Sequence, residues 1–177
     1  ALHLVAKQDA KQSELRLGSV YLPRSHPDYH ASVVMNAVLG GLFSSRINLN
    51  LREKHGYTYG AFSTIDWRRQ AGPFVVSSAV QSESTAPAAR EALGEIERFR
   101  EDIIEEEELT LATNYLVGVF PIRFETTAAI AGALAALVRY GLPEDFYDTY
   151  RDHMRAVSPA DVQRVARDHL DLKARQL

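Results

Sequence analysis

Leu39 to Ser63 reads LGGLFSSRINLNLREKHGYTYGAFS, and a change of period inside it decides the fold. Phe43, Ile47 and Leu51 recur at i, i+4 and i+8, which predicts an amphipathic helix from about Ser44 to Lys54 with one buried stripe. Gly56 follows the basic residues Arg52, Lys54 and His55, an order that suits a left-handed closing residue and cations at a helix C-terminus. Beyond Gly56 the period drops to two. Tyr57, Tyr59, Ala61 and Ser63 are expected on one face of a strand, and Thr58, Gly60, Phe62 and Thr64 on the other. Arg52 and Tyr59 would then meet at the helix-to-strand corner, a rigid way to present a guanidinium beside a phenol.

Upstream, Leu15, Leu17, Ser19 and Tyr21 alternate with Glu14, Arg16, Gly18 and Val20, predicting a strand over Ser13–Tyr21 with one wetter face. Pro23 and Pro27 break it. Asp28 then opens a helix in which Ala31, Val34, Met35, Val38 and Leu39 share a face, and Gly40-Gly41 is read as its terminator. Downstream, a turn at Trp67–Gly72 leads into Pro73–Val80, a β-rich run expected to pair antiparallel with the Tyr59 strand. The rest reads as helices. Ser84 is placed as the N-cap of one to about Arg100, and Glu105–Glu108 starts a second that Pro121 interrupts. An alanine-rich helix over Thr127–Tyr140 stops at Gly141. Pro143 leads into a helix to about Ala156, and Ser158-Pro159 sets up the last, through His169. Strands early and helices late predict an α+β fold, an antiparallel sheet covered by helices on one face.

At 177 residues with 46% hydrophobic content, the chain can bury a core as one domain. Residues 1–12 read as a linker or lead-in segment. A formal charge of −3 offers no basic field for nucleic acid. Cysteine is absent, which removes disulfides and thiolate metal sites without choosing a compartment. The longest apolar run, Ala128–Val138, is about half the roughly 20 residues of a membrane span. No signal peptide is recognised before Leu2, so a soluble, cytoplasmic setting is the expectation. The start at Ala1 and the uncapped end at Leu177 suggest part of a longer protein.

The motif L-R-E-K-x-G-x-x-Y, Leu51 to Tyr59, preceded by G-G-x-x-S-S-R from Gly40 to Arg46, resembles the second-half domain of the M16 metallopeptidases, the pitrilysin, insulysin and mitochondrial-processing-peptidase family. In that family one half carries zinc on H-x-x-E-H, and a homologous half without the motif supplies an Arg/Tyr pair. The resemblance places that pair on Arg52 and Tyr59. It implies that Tyr59 hydrogen-bonds the oxyanion forming on a scissile carbonyl and that Arg52 holds peptide substrate or supports that interaction. Phenols, with an ordinary pKa of about 10, still donate at neutral pH, and a guanidinium keeps its charge. By residue type alone, Arg52 reads as a helix-terminal surface cation and Tyr59 as a half-buried strand aromatic; the resemblance is what favours function. The short Gly40–Ser45 segment departs from the long glycine-rich loop of mitochondrial regulatory subunits.

The histidines are His3, His26, His30, His55, His153 and His169, and none lies in H-x-x-E-H or H-E-x-x-H. His26 and His30 have i, i+4 spacing, but Pro27 and Asp28 fall where a helix would have to run. Zinc is therefore expected in a homologous zinc-bearing domain or subunit and not in this chain, since a catalytic zinc usually takes three protein ligands. The four glutamates at 105–108 read as a solvated first helical turn that complements the dipole, in preference to an acidic chamber wall. No nucleophile motif such as G-x-S-x-G is present. The resemblance thus implies a zinc-free half that binds peptide and completes a zinc-bearing half for peptide-bond hydrolysis. The alternative is a non-catalytic partner subunit or scaffold of the same fold.

Overall fold

The computed structural model describes residues 9–170. Three strands, β1 (Gln12–Val20), β2 (Thr58–Ile65) and β3 (Pro73–Gln81), form one antiparallel sheet in the order β1-β3-β2. The expected lead-in therefore ends sooner than placed, because Gln12 already pairs with Gln81; its residues 1–8 lie outside the described residues. Leu15, Leu17, Phe74, Val76, Val80 and Ala61 turn to the covered face, while Glu14, Arg16, Phe62 and Thr64 stay wet. This is the alternation expected of a sheet with one solvated side.

Helix α1 (Tyr29–Asn36) runs on through a wider π turn, Ala37–Gly41, and α2 (Arg46–Asn48) does the same over Leu49–Lys54. Both lie on β2, beside α3 (Thr85–Glu101), which crosses β1 and β3. A second layer follows from α4 (Glu106–Val119), α5 (Thr127–Tyr140), α6 (Phe146–Ala156) and α7 (Pro159–His169), with α7 against α1 and α3, and α4 against α6. The expected α+β class and one-sided cover stand. No single helix among the described residues is long and apolar enough to cross a membrane.

The predicted caps divide. Ser158 Oγ accepts from the Asp161 N–H at 3.2 Å and Gly141 closes α5 at φ 63°. Ser84 stands at its N-cap position but makes no capping bond, because a 3₁₀ turn over Ser82–Ser84 leads in, with Thr85 Oγ1 bonded to Ser82 O at 2.7 Å.

Two readings around α1 and α2 are corrected. Gly40 does not terminate α1; it is buried inside the helical run, and a Cβ there would lie 2.4 Å from Ser63 Oγ and 2.7 Å from the Ser63 backbone N. A glycine is required because helix and strand touch backbone to backbone. Phe43 does not join the buried stripe. Its side chain is 63% exposed, whereas Ile47 and Leu51 are fully buried. The helix begins at Arg46, so Phe43 sits on the link before it, where helical spacing no longer applies.

Two asparagines tie these helices to β2. Asn36 Nδ2 donates to Ser63 O at 3.3 Å, and Ser63 Oγ donates to Asn36 Oδ1 at 2.8 Å. Asn48, fully buried, donates from Nδ2 to Phe43 O at 2.6 Å and accepts the Ala61 N–H at 3.0 Å.

Candidate functional site

The helix that carries Arg52 ends as its sequence predicts. Gly56 has φ 66°, its N–H donates to Arg52 O at 3.1 Å, and the Tyr57 N–H donates to Leu51 O at 2.9 Å. This closing turn sends the chain directly into β2.

Strict alternation fails in the first residues of that strand. Thr58 pairs with Val80 and Ala61 with Ser78, so three steps along β2 match two along β3, and Tyr59 and Gly60 together oppose one residue. This β-bulge reverses the face expected for Tyr59. Instead of sharing the side of Ala61 and Ser63, its ring stands outward and is 95% exposed. The Thr58 hydroxyl holds the bulge: Oγ1 accepts the Gly60 N–H at 3.1 Å and donates to Ala79 O at 2.6 Å. A Cβ at Gly60 would lie 2.9 Å from the Phe62 ring, an exposed side chain that has room to swing aside.

Arg52 and Tyr59 nevertheless line one depression of about 360 Å³, with Glu53, Tyr57, Gln12 and Gln81 around them. The Arg52 guanidinium carbon lies 4.4 Å from the centroid of the Phe43 ring, and Nη1 approaches Glu53 Oε1 at 3.5 Å. Nη1 is buried yet has no hydrogen-bond partner among the described residues. Exposed Phe43 thus acts as a rest for the guanidinium, an arrangement worth about 0.5–1 kcal/mol at such a site. Behind it, the His55 ring stacks on Tyr57 at 5.0 Å and reaches Glu91 of α3 at 3.6 Å, bracing the corner from the helical side. The arrangement offers a positive donor and a phenolic donor to an incoming carbonyl or carboxylate, with no structural bond engaging the Tyr59 hydroxyl among the described residues.

Residues 3–116 match the peptidase M16 inactive domain. The chain belongs to that family. An uncharacterized zinc protease of Streptomyces coelicolor is 26% identical over 160 residues, covering 90% of this chain and 35% of that protein. A non-peptidase homolog of Helicobacter pylori is 24% identical over 171 residues, covering 95% of the chain and 39% of its own length. Among solved structures, the M16 inactive domain from Pseudomonas fluorescens superposes with a TM-score of 0.88 at 25% identity, covering 94% of this chain and 40% of that one. The chain thus spans well under half the length of these relatives.

In this M16 inactive domain the histidines among the described residues do not build a peptidase zinc site. His30 turns away from His26 and stacks on Phe146 at 5.5 Å and against His153 at 4.7 Å; burial and the neighbouring His153 and Arg24 push its pKa down to about 4. His26, Asp28 and His169 do converge, with ligand atoms within 4.8 Å of one another. Asp28 is already engaged, however: Arg164 Nη2 donates to Oδ1 at 2.8 Å and His169 Nε2 meets Oδ2 at 2.7 Å. A guanidinium on the same carboxylate opposes a divalent cation, and none of the three lines the depression of Arg52 and Tyr59. The trio works as a clasp between the start of α1 and the end of α7. The Arg164 bond chiefly holds the Asp28 pKa down to about 2.

Of the four glutamates, 105–107 are solvated as expected, but Glu108 forms a two-pronged pair with Arg46 at 2.6 Å on each arm and accepts the Glu105 N–H at 3.0 Å. That pair fixes the first residue of α2 against α4. Phe43, Asn48 and Glu108 are the supporting residues that sequence reasoning missed. A polar Asn48 between apolar Ile47 and Leu49 was the available signal.

Proposed function

We propose that this chain is the zinc-free half of an M16-type peptidase, which binds peptide and completes the active site of a homologous zinc-bearing half. The catalytic zinc, its ligands and the general base are assigned to that other half. Here Arg52 binds the peptide backbone or a carboxylate of the substrate, and Tyr59 donates a hydrogen bond to the oxygen of the scissile carbonyl as it gains charge.

The observation that carries this reading is that Tyr59, wholly exposed and lifted from the strand by a bulge, shares one depression with an Arg52 whose buried Nη1 lacks a hydrogen-bond partner. A surface aromatic with no packing role, beside a guanidinium that rests on Phe43 and approaches Glu53 yet keeps Nη1 without a hydrogen bond, suits substrate contact. Tyr59→Phe in the complete two-half enzyme removes one donor and leaves the ring. Turnover is expected to fall about 100-fold or more with little change in KM, the usual loss of one oxyanion donor. Near-normal turnover overturns the assignment.

The second reading is a non-catalytic partner or scaffold, and the non-peptidase relative supports it. Under that reading, Arg52→Ala combined with Tyr59→Ala leaves assembly and biological activity unchanged.

A further inference from the structure

Between the two helical layers lies a second cavity of about 290 Å³, and its chemistry is unlike that of the depression on the sheet. Arg24, on the loop from β1 to α1, reaches into it. Although only 8% exposed, Arg24 makes no ion pair or side-chain hydrogen bond among the described residues, and its Nη1 is buried without a partner. Two rings flank the guanidinium: its carbon lies 3.4 Å from the Tyr29 ring centroid and 4.5 Å from that of Phe146, the rings inclined at 60° to one another. The unpartnered Nη1 donors remain for a ligand. Arg123 lines the same cavity beside Tyr150, whose buried hydroxyl has the Arg123 guanidinium as neighbour but makes no hydrogen bond of good geometry.

A buried charge without a counterion is unfavourable, so its retention asks for an anion. The geometry selects the kind. A planar fork of N–H donors suits a planar carboxylate taken edge-on. The opposite wall is apolar, built from Ala129, Ala133 and Ala136 on one face of α5 with Phe120 beside them. The volume lies at the small end of ligand pockets. Tyr147, also on the wall, spends its hydroxyl on Ala133 O at 3.2 Å, leaving Tyr150 as the free phenolic donor.

We propose that this cavity binds the carboxylate of a small apolar or aromatic group, with Arg24 and Arg123 on the anion, Tyr150 as a further donor and the alanine face of α5 against the body. The source is either a free monocarboxylic acid or the C-terminal carboxylate of a peptide ending in an apolar residue.

The test is calorimetric titration of the intact protein with phenylacetate, with a short peptide ending in phenylalanine, with the same peptide amidated, and with inorganic phosphate. Saturable one-to-one binding of phenylacetate or the free-acid peptide, with the amide and phosphate much weaker, supports the site. Phenylacetate binding without peptide binding assigns the free acid, and tighter peptide binding assigns the C terminus. Arg24→Met should keep the fold and weaken binding about 10- to 100-fold, the factor carried by a charge-assisted hydrogen bond. Tyr150→Phe keeps the ring stacked on Phe120 and should weaken binding several-fold without lowering Tm. Binding of neither carboxylate, phosphate binding as tight as phenylacetate, or full affinity in Tyr150→Phe would overturn the proposal. An unfolded Arg24→Met would overturn it as well, since Arg24 would then be a structural residue.

Discussion

Replacing Asn48 by alanine tests how the corner is held together. Two bonds disappear, to Phe43 O and from the Ala61 N–H. They do not weigh equally. Phe43 lies on an exposed link, so its carbonyl can turn to water at a cost of a few tenths to about 1 kcal/mol. Ala61 is fully buried in the paired part of β2, where its N–H has no water to replace Asn48 and the orphaned donor costs about 1–3 kcal/mol. Loss of the packed amide adds a small cavity, so the total is about 3 kcal/mol. For a chain of this size that is a drop in Tm of about 6–12 °C. Urea unfolding followed by circular dichroism measures the free energy, and amide hydrogen exchange reads the Ala61 N–H directly. Asn48→Asp is expected to retain the Ala61 bond, lose the Phe43 bond and bury a charge, and so to be no better than alanine. A loss under about 1 kcal/mol with unchanged Ala61 protection would refute the reasoning, since the tether would then be dispensable.

Gly40→Ala forces a methyl into the Ser63 backbone and should cost about 2–3 kcal/mol, visible as a lower urea midpoint; a neutral effect would mean that α1 and β2 are not locked at that contact. The clasp on Asp28 predicts an acid dependence. Its folded pKa is depressed, so its contribution is fully present above the ordinary carboxylate pKa of about 4 and is lost as pH falls toward 2. Asp28→Asn should therefore destabilise by about 1–2 kcal/mol at pH 6 and converge with wild type near pH 2, measured by denaturation at each pH. Glu108→Gln removes the charge from the pair with Arg46 and should cost about 1 kcal/mol, less at high salt; an effect independent of salt would argue against an electrostatic role.

How far the sequence could be read depended on the range of the interaction behind each feature. The helices, the glycine stops at Gly56 and Gly141, the antiparallel pairing and the one-sided sheet were legible because periodicity and turn chemistry are local. The corner was legible too, from Leu51 to Tyr59, and the resemblance supplied roles that residue types alone left open. Four things escaped. The bulge at Tyr59–Gly60 is a matter of register between two strands, which alternation along one strand cannot reveal. The closeness of Gly40 to Ser63 and the Glu108 pair with Arg46 depend on distant segments meeting. The convergence of Arg24, Arg123 and Tyr150 depends on the stacking of the helical layer, and no spacing rule connects residues so far apart in the chain.

The extra residue in β2 has a consequence for how this surface tolerates change. It divides an eight-residue strand into two regimes, one in which Ala61 and Ser63 answer to the helices beneath, and one in which Tyr59 touches nothing that the fold needs. In a library screened for folding alone, position 59 would accept almost any side chain, while positions 61 and 63 would not. Screened for hydrolysis with the zinc-bearing half in place, the proposed oxyanion role makes position 59 the most restricted of the three, so comparing the two screens position by position would separate residues kept for chemistry from residues kept for shape.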